Sequence, residues 1–394
     1  MLKILSVDEL VPGHYVNRVV AQQGNVVMRS KGQVKTAVGI EKIKQQGITK
    51  VEVDLSKSRI EAPAEKEQVA EPELSCKPQN TEASGEDLHK ANDLYLEAVM
   101  IQGEFLSKLK SGAANDITPI QNISQSIIES VFDNPSAMCC LTMIKNADQY
   151  LLEHGINCSV LIALFADHLG YDSVIIEELS LGVMSMDLGM TWVSPEIRNN
   201  NVSLTQDDWV MIKNHVEHGL DLLERCGDMP TISRTVVEQH HERVDGSGYP
   251  KGLSGDDVSP FARMAAIVDS YDAMISERPY QKALPPAVAL KRLSKTPGLD
   301  SELVKQFIAC IGIYPVGSLV KLKSGRLGLV AKPNPDDMLK PVVMTFYSVV
   351  GNHHSDIKRI DLSKIDDEIE ASVQPADFNI NLPRFFRDVF VHQV

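Results

Sequence analysis

The chain has 394 residues, 43% of them hydrophobic and 5% aromatic, with a formal charge of −14 at pH 7. That length and apolar content suit two or three globular domains with a sizeable core, and the excess of acid excludes broad electrostatic attachment to nucleic acid, so no DNA partner is expected. With no apolar leader, no run of the ~18 apolar residues a membrane span needs, and six cysteines without a CxxC pair, a cytoplasmic protein with reduced, buried thiols is expected.

Residues 1–58 read as a small α/β unit. LKILSVDEL and HYVNRVV are short strand-like or mixed stretches, Gly39–Gln46 suits a helix, and VEVDL at 51–55 alternates as a strand does. Residues 59–87 are polar, acidic and proline-bearing, the composition of a flexible linker. Helical spacing then begins. Leu94, Ala98, Ile101, Phe105 and Leu109 fall at steps of three and four, as do Ile117, Ile120, Ile123, Ile127 and Val131, predicting a helical pair over 88–133. Its long apolar stripe could pair with a second subunit in a homodimer or pack on the chain's own core.

Asn134-Pro135 opens a helical domain over 134–313. Helices are expected near 136–152, 154–169, 173–186, 206–226, 231–241, 261–275 and 286–294, with Thr205 as an N-cap and Asp208 closing a capping box. SLVKLKSGRLGLV (318–330) reads as two strands about Ser324-Gly325, and PVVMTFYSVV (341–350) as a third, within a β-rich extension over 314–372. The tail, 373–394, contains the amphipathic NINLPRFFRDVFV. The fold class is therefore mainly α, with a small N-terminal α/β domain and a small β-rich C-terminal appendage.

The helical domain supplies His154, Asp187, His215, His240, His241 and Asp269, each on or at the end of a predicted helix. Imidazoles and carboxylates on rigid elements suit zinc and other transition metals, and a bridging carboxylate is the usual means of holding two ions together. Neighbours on a helix point about 100° apart, so His240 and His241 suit a site with more than one metal, or one ligand and a supporting partner. Taken singly, each histidine is more simply a solvated or packed helix residue. His353-His354, in the loop GNHHSD, has no such companions and is given no function.

In order and spacing, HHERVDGSGYPKGLSGD (240–256) and RMAAIVDSYDAMISERPYQK (263–282) resemble the HD-GYP family of bacterial cyclic-di-GMP phosphodiesterases, a branch of the HD superfamily of metal-dependent phosphohydrolases. The resemblance covers about 135–313. Residues 1–58 resemble a small uncharacterised domain that often precedes it, and IGIYPVGSLVKL (311–322) resembles its usual continuation. The resemblance implies an all-helical metal-site domain binding one or two divalent ions, Fe or Mn. His154, Asp187 and Asp269 would surround one ion, and Asp187, His215, His240 and His241 the other. It also implies substrate phosphates held by Arg278 and Lys282, and a loop, Gly248-Tyr249-Pro250, that contributes to recognition of signalling proteins. Without the resemblance, Arg278 would be read as a helix-end ion pair.

The family pattern is broken at three positions. Met186 stands where the family has the histidine of its His-Asp dyad, Met190 where it has a lysine, and Tyr150 where some members add a glutamate. A thioether is a soft, weak ligand that suits Fe(II) or Mn(II) badly and carries no proton. Two functions follow: hydrolysis of cyclic-di-GMP to pGpG or GMP, with Asp187 catalytic, or a module of the same fold that binds cyclic-di-GMP or docks proteins without turnover. The loop sequence argues against a different nucleotide.

Overall fold

The computed structural model describes residues 2–22, 32–34, 40, 43–44, 48–55, 57–58, 85–144, 150–198, 204–278 and 281–382. The linker expected over 59–87 falls outside these up to residue 84, as do most of the helix expected at 39–46 and the end of the tail. Two compact units are present: residues 1–77 with 166–177, and residues 78–165 with 178–394.

The first unit is built on four antiparallel strands, β1 (Leu2–Ser6), β2 (Tyr15–Gln22), β3 (Gly32–Gln33) and β4 (Ile48–Asp54), in the order β1-β4-β2-β3. Leu5 lies opposite Val51, and Leu5, Val7, Val16, Val51 and Val53 form the apolar centre. Glu52 is also buried, which its partners explain: Asn17 donates to it at 2.8 Å and Arg18 at 3.0 Å.

The second unit is mainly helical. α1 (Gly85–Lys110) and α2 (Thr118–Asp133) form the expected pair. α1 begins three residues before the expected boundary because Glu86 and Asp87 suit the positive end of a helix. Asn134 caps α3 (Pro135–Thr142) by accepting from the Ala137 N–H at 3.0 Å. That helix stops at Thr142, ten residues short of expectation, and α4 (Tyr150–His168) begins upstream of His154, which therefore lies inside a helix. α5 (Ser173–Ser185), a 3₁₀ turn (Leu188–Trp192) and α6 (Pro195–Arg198) follow.

The single helix expected over 206–226 is two, α7 (Gln206–Lys213) and α8 (His215–Arg225), divided at Asn214. The Thr205–Asp208 capping box is formed, with N–H donors accepted at 3.2 and 2.9 Å. α9 (Thr231–Gln239) ends before the paired histidines. α10 (Pro260–Ile275), α11 (Pro286–Leu293) and α12 (Ser301–Ile311) complete the body. α12 was not expected, yet Asp300 caps it and its Phe307 joins the core, edge-on to Phe165 at 5.3 Å and to Tyr271 at 5.4 Å.

The C-terminal appendage is a five-stranded antiparallel sheet, β5 (Leu319–Leu322), β6 (Arg326–Lys332), β7 (Val342–Ser348), β8 (His353–Asp361) and β9 (Ile369–Ser372), in the order β8-β7-β6-β5-β9. Gly325 turns β5 into β6 at φ +76°. His353 and His354 are not in a loop; they open β8, opposite Ser348 and Tyr347. Among the described residues no helix is long and apolar enough to cross a membrane.

Candidate metal centre

Five separate segments carry the polar cluster of the helical body. His154 sits in α4, Asp187 between α5 and the 3₁₀ turn, His215 at the first position of α8, His240 and His241 just beyond α9, and Asp269 in α10. The break at Asn214 makes His215 a helix start. Gly189 permits the neighbouring approach: a Cβ there would run into the His215 carbonyl oxygen and lie 2.6 Å from the Gly219 nitrogen. The 3₁₀ turn can thus rest against the first turn of α8, carrying Asp187 to His215.

Asp187 is central. Its Oδ2 lies 3.4 Å from His154 Nε2, and its Oδ1 lies 3.4 Å from His215 Nε2 and 4.0 Å from His240 Nε2. His154 Nε2 is also 3.1 Å from Asp269 Oδ1, and His241 Nδ1 is 3.9 Å from Asp269 Oδ2. Besides the group His154, Cys158 and Asp272, two further groups result, each with donor atoms within 4.8 Å of one another: Asp187, His215, His240 and His241, and His154, Asp187 and Asp269. Asp187 belongs to both.

Hydrogen bonds fix which nitrogen faces the cluster. His215 Nδ1 lies 2.6 Å from the Ile212 carbonyl, and His240 Nδ1 lies 3.0 Å from the Val237 carbonyl. A carbonyl only accepts, so both Nδ1 atoms carry the proton of the neutral ring. Their Nε2 lone pairs then face each other at 3.3 Å beside a carboxylate. Acceptors meeting acceptors in a buried site require a cation or a proton between them, and imidazole with carboxylate is a fitting donor set for a divalent transition metal.

Burial, reinforced by His215, pushes His240 down to about 4, and burial with His240, His215 and Arg243 drives His241 well below its ordinary range. Both rings are thus neutral and available as ligands. At His154 burial opposes the charged form, but Cys158, Asp269 and Asp272 outweigh it and hold the imidazole well above its usual value. Cys158 is itself pushed up to about 12 by burial, so the thiol is neutral near pH 7 and the two carboxylates dominate. Burial would raise Asp269, yet the hydrogen bond and charge of His154 bring it below the usual carboxylate range.

Several supporting residues escaped the sequence analysis. Asp272, wholly buried, places Oδ2 2.8 Å from His154 Nδ1 and accepts from the Ser276 hydroxyl at 3.3 Å. Its position one turn after Asp269 was the available signal. Glu242, also buried, accepts the backbone N–H groups of Lys251 at 2.7 Å and Leu253 at 3.0 Å, so the acid of HHE ties down the following loop. Within that loop a Cβ on Gly248 would lie 2.5 Å from Glu242 Cα, and the Tyr249–Pro250 bond is cis. The Tyr249 ring stacks on His241 at 4.6 Å, with Lys213 over it at 5.2 Å, while Pro250 is exposed.

At the departures from the family pattern, Met186 is fully buried and Met190 half-buried. Tyr150 stacks on His154 at 5.1 Å, and its hydroxyl accepts from Arg278, whose guanidinium carbon lies 4.4 Å from the ring centroid. Arg278 is thus placed beside the His154 group through a tyrosine. Lys282 is exposed.

Residues 138–303 match the HD domain family, and residues 2–120 match a domain of unknown function (DUF3391). A cyclic di-GMP phosphodiesterase of Pseudomonas aeruginosa, PA4108, is 35% identical over 61% of this chain and 58% of its own length. A 3'3'-cGAMP-specific phosphodiesterase of Vibrio cholerae is 26% identical over 56% of this chain and 48% of its own. A cyclic di-GMP phosphodiesterase of Thermotoga maritima is 29% identical over 36% and 40%. A solved structure, a HDG"Y"P protein from Bdellovibrio bacteriovorus, aligns over 78% of this chain and 98% of its own, with 15% identity and a TM-score of 0.49. The chain spans about half the length of these curated relatives. The helical body, with its histidines and aspartates gathered about Asp187, is an HD domain, a metal-dependent hydrolase fold. Within that class, the HHE, GYP and RPYQK segments and the matched cyclic di-GMP phosphodiesterases support an HD-GYP family protein.

Proposed function

We propose that this protein is a metal-dependent cyclic-di-GMP phosphodiesterase producing pGpG or GMP. The observation that carries this reading is the convergence of His154, His215 and His240 Nε2 on Asp187, with the opposite nitrogens of all three rings engaged. His215, His240 and His241 would hold one divalent ion with Asp187, and His154 and Asp269 a second, with Fe or Mn the expected metals. Ions held there supply Lewis acidity and a nucleophile at neutral pH. Asp187 would serve both groups. Asp272 keeps His154 in one tautomer, and Tyr249 shields one face of His241 from water. Arg278 is the cation assigned to a phosphate oxygen, and Lys282 a second reached by side-chain rotation. The exposed Pro250 leaves the loop open to signalling proteins.

A second reading, a cyclic-di-GMP-binding module without turnover, is favoured by Met186, which leaves the His154 group with three imidazole or carboxylate ligands. The test is anaerobic turnover of cyclic-di-GMP after loading with Fe(II) or Mn(II), beside Asp187→Ala and Met186→His, with 3'3'-cGAMP as competing substrate. Wild-type release of pGpG or GMP above Asp187→Ala supports the enzyme. Turnover by Met186→His alone supports the module, and faster turnover of 3'3'-cGAMP overturns the substrate assignment.

A further inference from the structure

The chain has two tryptophans, and both are exposed, Trp192 at 60% and Trp209 at 49%. An exposed indole gives up the burial that usually stabilises it, so its surroundings matter. Trp192 ends the 3₁₀ turn that begins directly after Asp187. His218, one helical turn beyond His215 in α8, stacks on it at 5.7 Å and an interplanar angle of 27°. One face of the indole is therefore buttressed and the other left to solvent. The backbone beneath is closely packed, because Gly189 lies against the His215 carbonyl and the Gly219 nitrogen with no room for a side chain. The shelf is thus anchored by the same two elements that deliver Asp187 and His215.

We infer that Trp192, backed by His218, is a stacking shelf for a purine base of the cyclic dinucleotide whose phosphodiester meets the metal centre. This rests on the proposed function and names the contact for the base. A purine suits the shelf because stacking needs only a flat π-face held parallel, and it adds affinity without the charge that a phosphate contact needs. Trp209, on α7, serves as the comparison residue.

The experiment uses the full chain loaded with Mn(II). Trp209→Phe leaves Trp192 as the sole fluorescent indole, and cyclic-di-GMP is titrated against it. Fluorescence is expected to be quenched with the same half-saturation that calorimetry gives for wild type. Steady-state assays should show Trp192→Ala raising KM about 10-fold with a much smaller change in kcat, and Trp192→Phe recovering most of the loss. Binding without quenching, or a Trp192→Ala variant that binds like wild type, overturns the shelf while leaving the metal-site reading standing. If wild type neither binds nor cleaves cyclic-di-GMP, the functional reading falls, and the shelf with it.

Discussion

His154 Nδ1 lies 2.8 Å from Asp272 Oδ2, and both side chains are excluded from solvent. The carboxylate commits Nδ1 as the donor and turns Nε2 toward Asp187 and Asp269. Asp272→Ala is therefore expected to weaken Mn(II) binding 10–100-fold, an effect of roughly the size seen when such supporting partners are removed. Asp272→Asn keeps an oxygen acceptor and should lose less. Calorimetric titration of the apo protein measures both, and equal affinities in all three proteins would show that Asp272 does not orient the ring.

Glu242 holds two backbone N–H groups of the loop that carries Tyr249. Glu242→Gln retains one acceptor oxygen and loses the charge, so about 2 kcal/mol of stability should be lost. Urea denaturation followed by circular dichroism reads this. An unchanged midpoint would mean the loop stands without the tie.

At Gly189 an added methyl group has no space beside the His215 carbonyl. Gly189→Ala should cost about 3 kcal/mol and lower metal affinity as well, because the shift separates Asp187 from His215. Gly112, with open space around it, is the control for handling losses of a glycine, although its φ of +72° makes Gly112→Ala mildly destabilising. Metal affinity should be unaffected by that control and reduced in Gly189→Ala.

The buried imidazole of His240, held near 4, takes a proton in the unfolded chain at about 6.5. Between those values the unfolded state binds more protons, so apo-protein stability is greatest at the upper end and falls with acidification. The contribution lost by pH 4 is roughly 3 kcal/mol. His154 is protonated in both states across that window and adds nothing to the slope. Above pH 6.5 its raised value works the other way, and stability declines as the pH climbs toward the folded-state value. Urea midpoints of the chelated protein from pH 4 to 9 should trace a maximum near 6.5. A midpoint rising toward pH 4 would contradict the buried, neutral His240.

The grouping of these histidines and aspartates could be read from sequence because ordered motif segments name chemically distinctive residues. Asp272 and Glu242 could not be read in the same way. Asp272 becomes meaningful only when tertiary folding brings α10 to His154, 118 residues away, and no local spacing reports that. The division at Asn214 was likewise invisible in a run whose apolar spacing continues through it, so one helix was expected where two stand. α12 was missed although Asp300 and the stripe Val304, Phe307 and Ile311 carried ordinary helix signals. The β8 strand was missed because its exposed, charged residues lack the buried alternation that marks a half-covered strand.

The two donor groups that share Asp187 differ in kind. One offers three imidazole nitrogens and a single carboxylate, and the other one imidazole and two carboxylates, with the charge of Asp272 directly behind that imidazole. Nitrogen-rich sites suit iron and zinc, whereas oxygen-rich sites suit harder ions such as manganese and magnesium. Met186, fully buried next to Asp187 in the chain, adds no nitrogen to the group already poorer in them. The two groups thus differ in donor hardness, and divalent ions bound to them would fill each in its own order as the surrounding supply changes.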